Sequence, residues 1–140
     1  MTETVQRRAA VIGLGSMGSG MAASLLRAGF SVAACDVNPE AVARFREAGG
    51  EAAANPAEAA RGAAVVVAVV VNAAQTEAVL FGPDGAAAAM PEGAVFVSSA
   101  TMDPAIARRL AARLTETGRH YLDAPMSGGA ARAAEGALTF

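Results

Sequence analysis

Lysine and tryptophan are missing from this chain, and histidine, cysteine and tyrosine occur once each. All 11 basic residues are therefore arginines. A single cysteine, Cys35, excludes an internal disulfide framework and fits a reducing cytoplasm; in its apolar strand it reads as a small buried hydrophobe. A single histidine, His120, between Arg119 and Tyr121, reads as a strand-edge residue without partners for a metal site or a triad. No Cys/His cluster has metal-ligand spacing, so no metal is expected. Charged residues make up only 17% and the net charge is −2, which removes the electrostatic footprint of a nucleic-acid binder. The pair Arg7-Arg8 reads as solvated surface. Long apolar runs are absent: Ala63–Val71 and Ala86–Met90 fall well short of the about 20 residues a membrane helix needs. Ala9–Leu14 is broken by glycine and has no cleavage pattern, so no signal peptide is read. Aromatics amount to 4% against 54% hydrophobic residues, so alanine and valine must build the core. The class expected is a soluble cytoplasmic domain.

The 140 residues suit one domain, 1–140, with a real core. Apolar strands alternate with helical periodicities, the pattern of a Rossmann-type doubly wound, mostly parallel sheet. Ala9–Ile12 and Ser31–Cys35 read as buried strands. Between them Met17, Met21 and Leu25, with Ala22 and Leu26, form a helical stripe that Gly29 closes. Asn38-Pro39, Asn55-Pro56 and Asp103-Pro104 each place an acceptor at an N-cap and proline at the first helical position. The β-branched run Ala63–Val71 reads as a central strand, and Ala94–Val97 as another. A helix is expected from Pro104 to about Thr115, and a strand through Tyr121-Leu122 into Asp123. Met17, Met21, Met102 and Met126 read as packing residues.

Gly13-Leu14-Gly15-Ser16-Met17-Gly18 has the spacing G-x-G-x-x-G. With 15 glycines in 140 positions that spacing arises by chance in roughly one such chain in six, so the context must carry it. The motif follows a strand and opens a helix. There Gly13 permits a tight turn, Gly15 admits a pyrophosphate to the backbone, and Gly18 lets helix and strand approach. The helix start then presents unpaired N–H groups and the positive end of its dipole to phosphate. Asp36, at the end of the second strand, is placed to accept hydrogen bonds from the adenosine ribose. Its charge repels a 2′-phosphate, and no arginine follows it directly, which favours NAD over NADP.

Gly13–Ala22, taken with Asp123-Ala124-Pro125-Met126-Ser127-Gly128-Gly129, resembles the N-terminal half of the β-hydroxyacid dehydrogenase family, the 3-hydroxyisobutyrate dehydrogenase-like proteins. Val70–Gln75 and Val79–Gly82 look most like its L-threonate branch. The resemblance implies that Ser127, Gly128 and Gly129 hold the carboxylate of a small hydroxy acid. A hydroxyl and several backbone N–H groups after a strand suit an anion. It also implies that Thr101 lies near the nicotinamide end of NAD, although Ala100 replaces the usual serine, and that Asn72 lies on the cofactor's path. The family's general acid/base is a lysine on the helix after this domain. A chain without lysine has no such residue, so no catalytic residue is expected here. The resemblance further implies a helical second domain that completes the substrate pocket and dimerises, absent from these residues. The expectation is thus a truncated NAD-binding domain, inactive alone, from an enzyme that is a homo-oligomer when whole. Two other readings are a non-catalytic NAD(H)-binding module and an imine-reductase-like NADP enzyme.

Overall fold

Strand alternates with helix throughout residues 7–140, the part described by the computed structural model; residues 1–6 of the expected domain lie outside that description. The first half runs β1 (Arg8–Ile12), α1 (Ser16–Arg27), β2 (Ser31–Cys35), α2 (Pro39–Glu47), β3 (Glu51–Ala52) and α3 (Pro56–Ala60). The second runs β4 (Val65–Ala68), α4 (Ala73–Phe81), β5 (Val95–Ser98), α5 (Pro104–Thr115), β6 (His120–Asp123) and α6 (Gly129–Glu135). The strands form one sheet in the order β3-β2-β1-β4-β5-β6, and every neighbouring pair is parallel. This is the Rossmann order, with its topological switch between β1 and β4.

Both faces of the sheet are covered over β1, β2 and β4, which explains why these strands read as unbroken apolar runs, whereas edge strand β6 leaves Leu122 53% exposed. Ala10, Ile12, Ala33, Cys35, Val66 and Phe96 pack into one core. Val11, Val32 and Ala34 face the other way, against Leu14, Ala22 and Phe45. Neighbouring positions of β1 and β2 thus serve opposite layers, and alanine lets the helices lie close on each. The three Asn/Asp-Pro starts are real. Asn38 accepts from Glu40 N–H at 3.0 Å, Asn55 from Glu58 N–H at 2.8 Å, and Asp103 from Ala105 N–H at 2.7 Å.

Four sequence expectations need correction. The strand read as Ala63–Val71 is only Val65–Ala68. Its neighbours β1 and β5 end level with Ala68; Val69 N–H still donates to the Ile12 carbonyl at 2.8 Å, but the chain then leaves the sheet and Val71 is 79% exposed. The short edge strand β3 was not anticipated, nor was α4, whose Ala73–Phe81 segment lacks a polar face. Met17, Met21, Met102 and Met126 are half-buried, compatible with their reading as packing residues, and Met90 is fully buried. The deepest contacts of α1 are made by Gly18, Gly20 and Ala22. Arg8, finally, pairs with Glu51 at 2.7 Å rather than standing free in solvent.

Candidate functional site

The registers align Cys35, Ile12, Ala68, Ser98 and Asp123 in one row across β2, β1, β4, β5 and β6. The residues that follow this row form the carboxyl rim of the sheet, where open α/β folds bind ligands. Asp36 and the Gly13–Gly18 turn sit directly on it. Asn72, Thr101 and the Ser127–Gly129 segment follow β4, β5 and β6 on the same rim. Topology therefore brings every candidate residue to one edge.

The three glycines of the turn are there for different reasons. Gly13 has φ +102°, and a Cβ on it would stand 2.2 Å from the Val69 carbonyl oxygen. A Cβ on Gly18 would stand 1.9 Å from the Gly13 oxygen. Those two glycines are demanded by the protein's own packing. Gly15 has φ −67° and nothing within 4 Å of its would-be Cβ. Among all the glycines it alone has neither a positive φ nor a neighbour within that distance of the would-be Cβ, apart from adjacent residues and its own helix backbone. It is also the N-cap of α1, where no side chain caps the first turn. Backbone is left bare beside a helix start, the geometry that admits a phosphate.

Asp36 ties this turn to the next loop. Its Oδ2 accepts from Leu14 N–H at 2.6 Å and its Oδ1 from Asn38 N–H at 2.8 Å. Both oxygens keep lone pairs for a further donor such as a ribose hydroxyl. Asn38 was read from sequence only as a cap; it also steadies Asp36, and a backbone N–H leaves no trace in residue type. Leu14, Gly15, Ser16, Asp36, Asn38 and Arg44 contribute to a polar cleft of about 250 Å³ between α1 and α2. A larger hollow of about 800 Å³, at the C-terminal ends of α4 and α5, contains none of the candidate residues.

The remaining candidates stand further along the rim. Asn72 is the N-cap of α4, its Oδ1 accepting from Gln75 N–H at 2.9 Å. Its carbonyl side is thus committed, while its amide nitrogen makes no hydrogen bond among the described residues. Thr101 is exposed between β5 and α5. Two residues earlier, Ser99 carries a hydroxyl that is buried with no partner among the described residues. Sequence reading passed over it, because a serine at a strand end looks ordinary. Gly128 and Gly129 have φ +139° and +78°. A Cβ on Gly128 would lie 2.9 Å from Arg132, whereas Gly129 faces open space. The helix they open is clamped on α1. Ser24 Oγ donates to the Ala133 carbonyl at 2.8 Å, Arg27 donates to that of Ala134, and Gly20 admits the crossing, with its would-be Cβ 2.7 Å from Ala134 N.

Beneath the rim Cys35 is buried, and burial together with the charge of Asp36 pushes its thiol up to about 11. It is an inert packing residue. His120 is exposed, and no group of acidic, histidine or cysteine residues could hold a metal among the described residues. None of the described helices is long and apolar enough to cross a membrane.

Residues 8–140 match the family described as the NAD binding domain of 6-phosphogluconate dehydrogenase. The chain is 57% identical over 135 residues to an L-threonate dehydrogenase of Cupriavidus necator, covering 96% of this chain and 46% of that protein. It is 35% identical over 129 residues to the mitochondrial 3-hydroxyisobutyrate dehydrogenase of Mus musculus, covering 92% of this chain and 38% of that one. A crystal structure of 3-hydroxyisobutyrate dehydrogenase from Salmonella typhimurium superposes with a TM-score of 0.91 at 44% identity, over 96% of this chain and 47% of the other. The chain spans less than half the length of these relatives.

Proposed function

This chain belongs to the NAD-binding-domain family of 6-phosphogluconate dehydrogenase and the β-hydroxyacid dehydrogenases, and from that premise we propose that it is the cofactor half of an enzyme that transfers hydride between NAD and a small hydroxy acid of the L-threonate or 3-hydroxyisobutyrate type. The observation that carries this reading is Gly15. Neither a packing contact nor a positive φ requires its missing side chain, and the bare backbone it leaves at the helix start suits an approaching phosphate. The fold is that of a nicotinamide-dinucleotide domain, and the residues at the rim fit such a cofactor.

In this reading the bare N–H groups at the start of α1 hold the pyrophosphate, within the turn formed by Gly13, Leu14, Gly15, Ser16, Met17 and Gly18. Asp36 accepts from the adenosine ribose hydroxyls, which favours NAD. Asn72 and Thr101 line the path toward the nicotinamide, which supplies the hydride chemistry when NAD is bound. Ser127 offers a hydroxyl, and Gly128 and Gly129 offer backbone N–H groups, to the substrate carboxylate. The clamp of α6 on α1 fixes that anion site relative to the pyrophosphate turn. No residue of this chain stands as general acid/base. An amine of lysine type is required from outside it, together with the helical second domain through which the whole enzyme forms a homo-oligomer in the cytoplasm.

Calorimetric titration of the folded chain with NAD tests the site. Saturable one-site binding is expected, with no NADH formed when L-threonate or 3-hydroxyisobutyrate is added. Folded protein that takes up no NAD overturns the reading of the site, and NADH formation by the chain alone overturns the assignment of the acid/base.

A further inference from the structure

The cleft beside Asp36 holds more donors than a ribose hydroxyl needs. Arg44, on α2, lines it together with Ser16 and Asn38. Among the described residues the Arg44 guanidinium takes part in neither of the ion pairs, although Glu40 and Glu47 flank it one turn away on the same helix. Asn38 uses its Oδ1 on Glu40 N–H, so its amide nitrogen is free to donate. Ser16 is exposed at the first position of α1. Opposite these stands one carboxylate, Asp36, and each of its oxygens already accepts a backbone N–H. The cleft therefore pairs one carboxylate, already hydrogen-bonded at both oxygens, with an uncommitted cation and two polar donors, in about 250 Å³.

We infer that Arg44 is a cofactor-specificity residue: it meets a phosphate on the 2′-oxygen of the adenosine ribose, so that the chain binds NADP as well as NAD. The inference rests on the dinucleotide reading of the site and modifies its preference for NAD. Selectivity is a difference between two affinities. Asp36 penalises the 2′-phosphate, and Arg44, a planar fork of donors with a permanent charge, offsets the penalty within the same cleft. The arginine lies on the helix after the acidic residue, not in the loop directly behind it, where a scan of the sequence looks for it.

The test is direct titration of the chain and its R44A and R44K variants with NAD, NADP, ADP and adenosine 2′,5′-bisphosphate, with circular dichroism confirming the fold. Arg44 is exposed and takes part in no ion pair among the described residues, so R44A should fold normally. Wild type is expected to bind both dinucleotides. R44A should weaken NADP and the bisphosphate at least tenfold while NAD and ADP change less than threefold, and R44K should fall between. Added salt should weaken NADP more than NAD. Loss of both dinucleotides in equal measure, no change in either, or a wild type that binds NAD but not NADP overturns the inference. A folded wild type that binds neither overturns the site reading as well, so the two failures are distinguishable.

Discussion

Replacing Gly15 by alanine separates what the protein needs from what the cofactor needs. The backbone at Gly15, φ −67° and ψ −169°, is open to any L-residue, and a Cβ there meets nothing within 4 Å. Two small effects on stability oppose each other. Removing a glycine from the unfolded chain stabilises by about 0.4–1 kcal/mol, while alanine is a poorer N-cap than glycine by about 0.5–1 kcal/mol. The net lies within about 1 kcal/mol, or a Tm shift of no more than about 4 °C for a domain of this size. Binding behaves otherwise. A methyl group on the bare backbone holds the pyrophosphate away and removes at least one charge-assisted hydrogen bond, about 1.5–3 kcal/mol, or roughly ten- to a hundredfold in Kd. Gly13→Ala is the contrasting case. Its Cβ would sit 2.2 Å from the Val69 oxygen on a backbone of φ +102°, so the fold itself should lose several kcal/mol. Thermal unfolding by circular dichroism and calorimetric NAD titration on both variants decide the matter. A Gly15→Ala protein that binds NAD within twofold of wild type at unchanged Tm refutes the argument, as does one that fails to fold.

Two further outcomes follow from the same rim. Asp36→Ala strands the N–H groups of Leu14 and Asn38, so urea unfolding should show a loss of about 1–3 kcal/mol and titration a Kd for NAD at least tenfold weaker; unchanged stability would mean that the carboxylate is not holding the turn. Cys35, with its thiol raised to about 11 from an ordinary 9.0, should resist a disulfide reagent at pH 8 until the chain unfolds. Because the folded value is the higher one, the unfolded chain ionises first. The Cys35 contribution is whole below pH 9 and lost between pH 9 and 11, with half-buried Tyr121, raised in the same direction, adding to the loss above pH 10. A urea midpoint that stays constant from pH 8 to 10.5 would contradict this.

Much of the fold was legible because the signals were local. Asn38-Pro39, Asn55-Pro56 and Asp103-Pro104 each announce a helix through one side chain and one ring. What failed depended on neighbours. Nothing in Val69–Val71 reveals that the flanking strands have already ended. The segment Ala73–Phe81 carries no amphipathic stripe, yet Asn72 starts a helix there. On α1, Gly18 was readable from the motif and Ala22 from the stripe, whereas Gly20 packs closely only because α6 crosses there. The site divides the same way. The glycine turn and Asp36 were readable from spacing, but the bond from Leu14 N–H to Asp36, the buried Ser99 hydroxyl and the place of Arg44 in the cleft exist only once distant segments meet.

The clamp between α1 and α6 has a consequence for the order in which the molecule is made. Ser24 and Ala133, joined by one hydrogen bond, stand 109 positions apart in the chain. During synthesis the residues of the glycine turn and Asp36 leave the ribosome well before those of α6. The flank of α1 that Gly20 presents then stays bare until Gly129–Glu135 has emerged. The pairing of β1 with β4 imposes a similar wait, since everything from α1 to α3 must be threaded between them. Contacts so distant in sequence close slowly, on the millisecond-to-second scale typical of non-local topologies. The helix that opens at the phosphate-binding turn is thus covered on this flank only after α6 has been made.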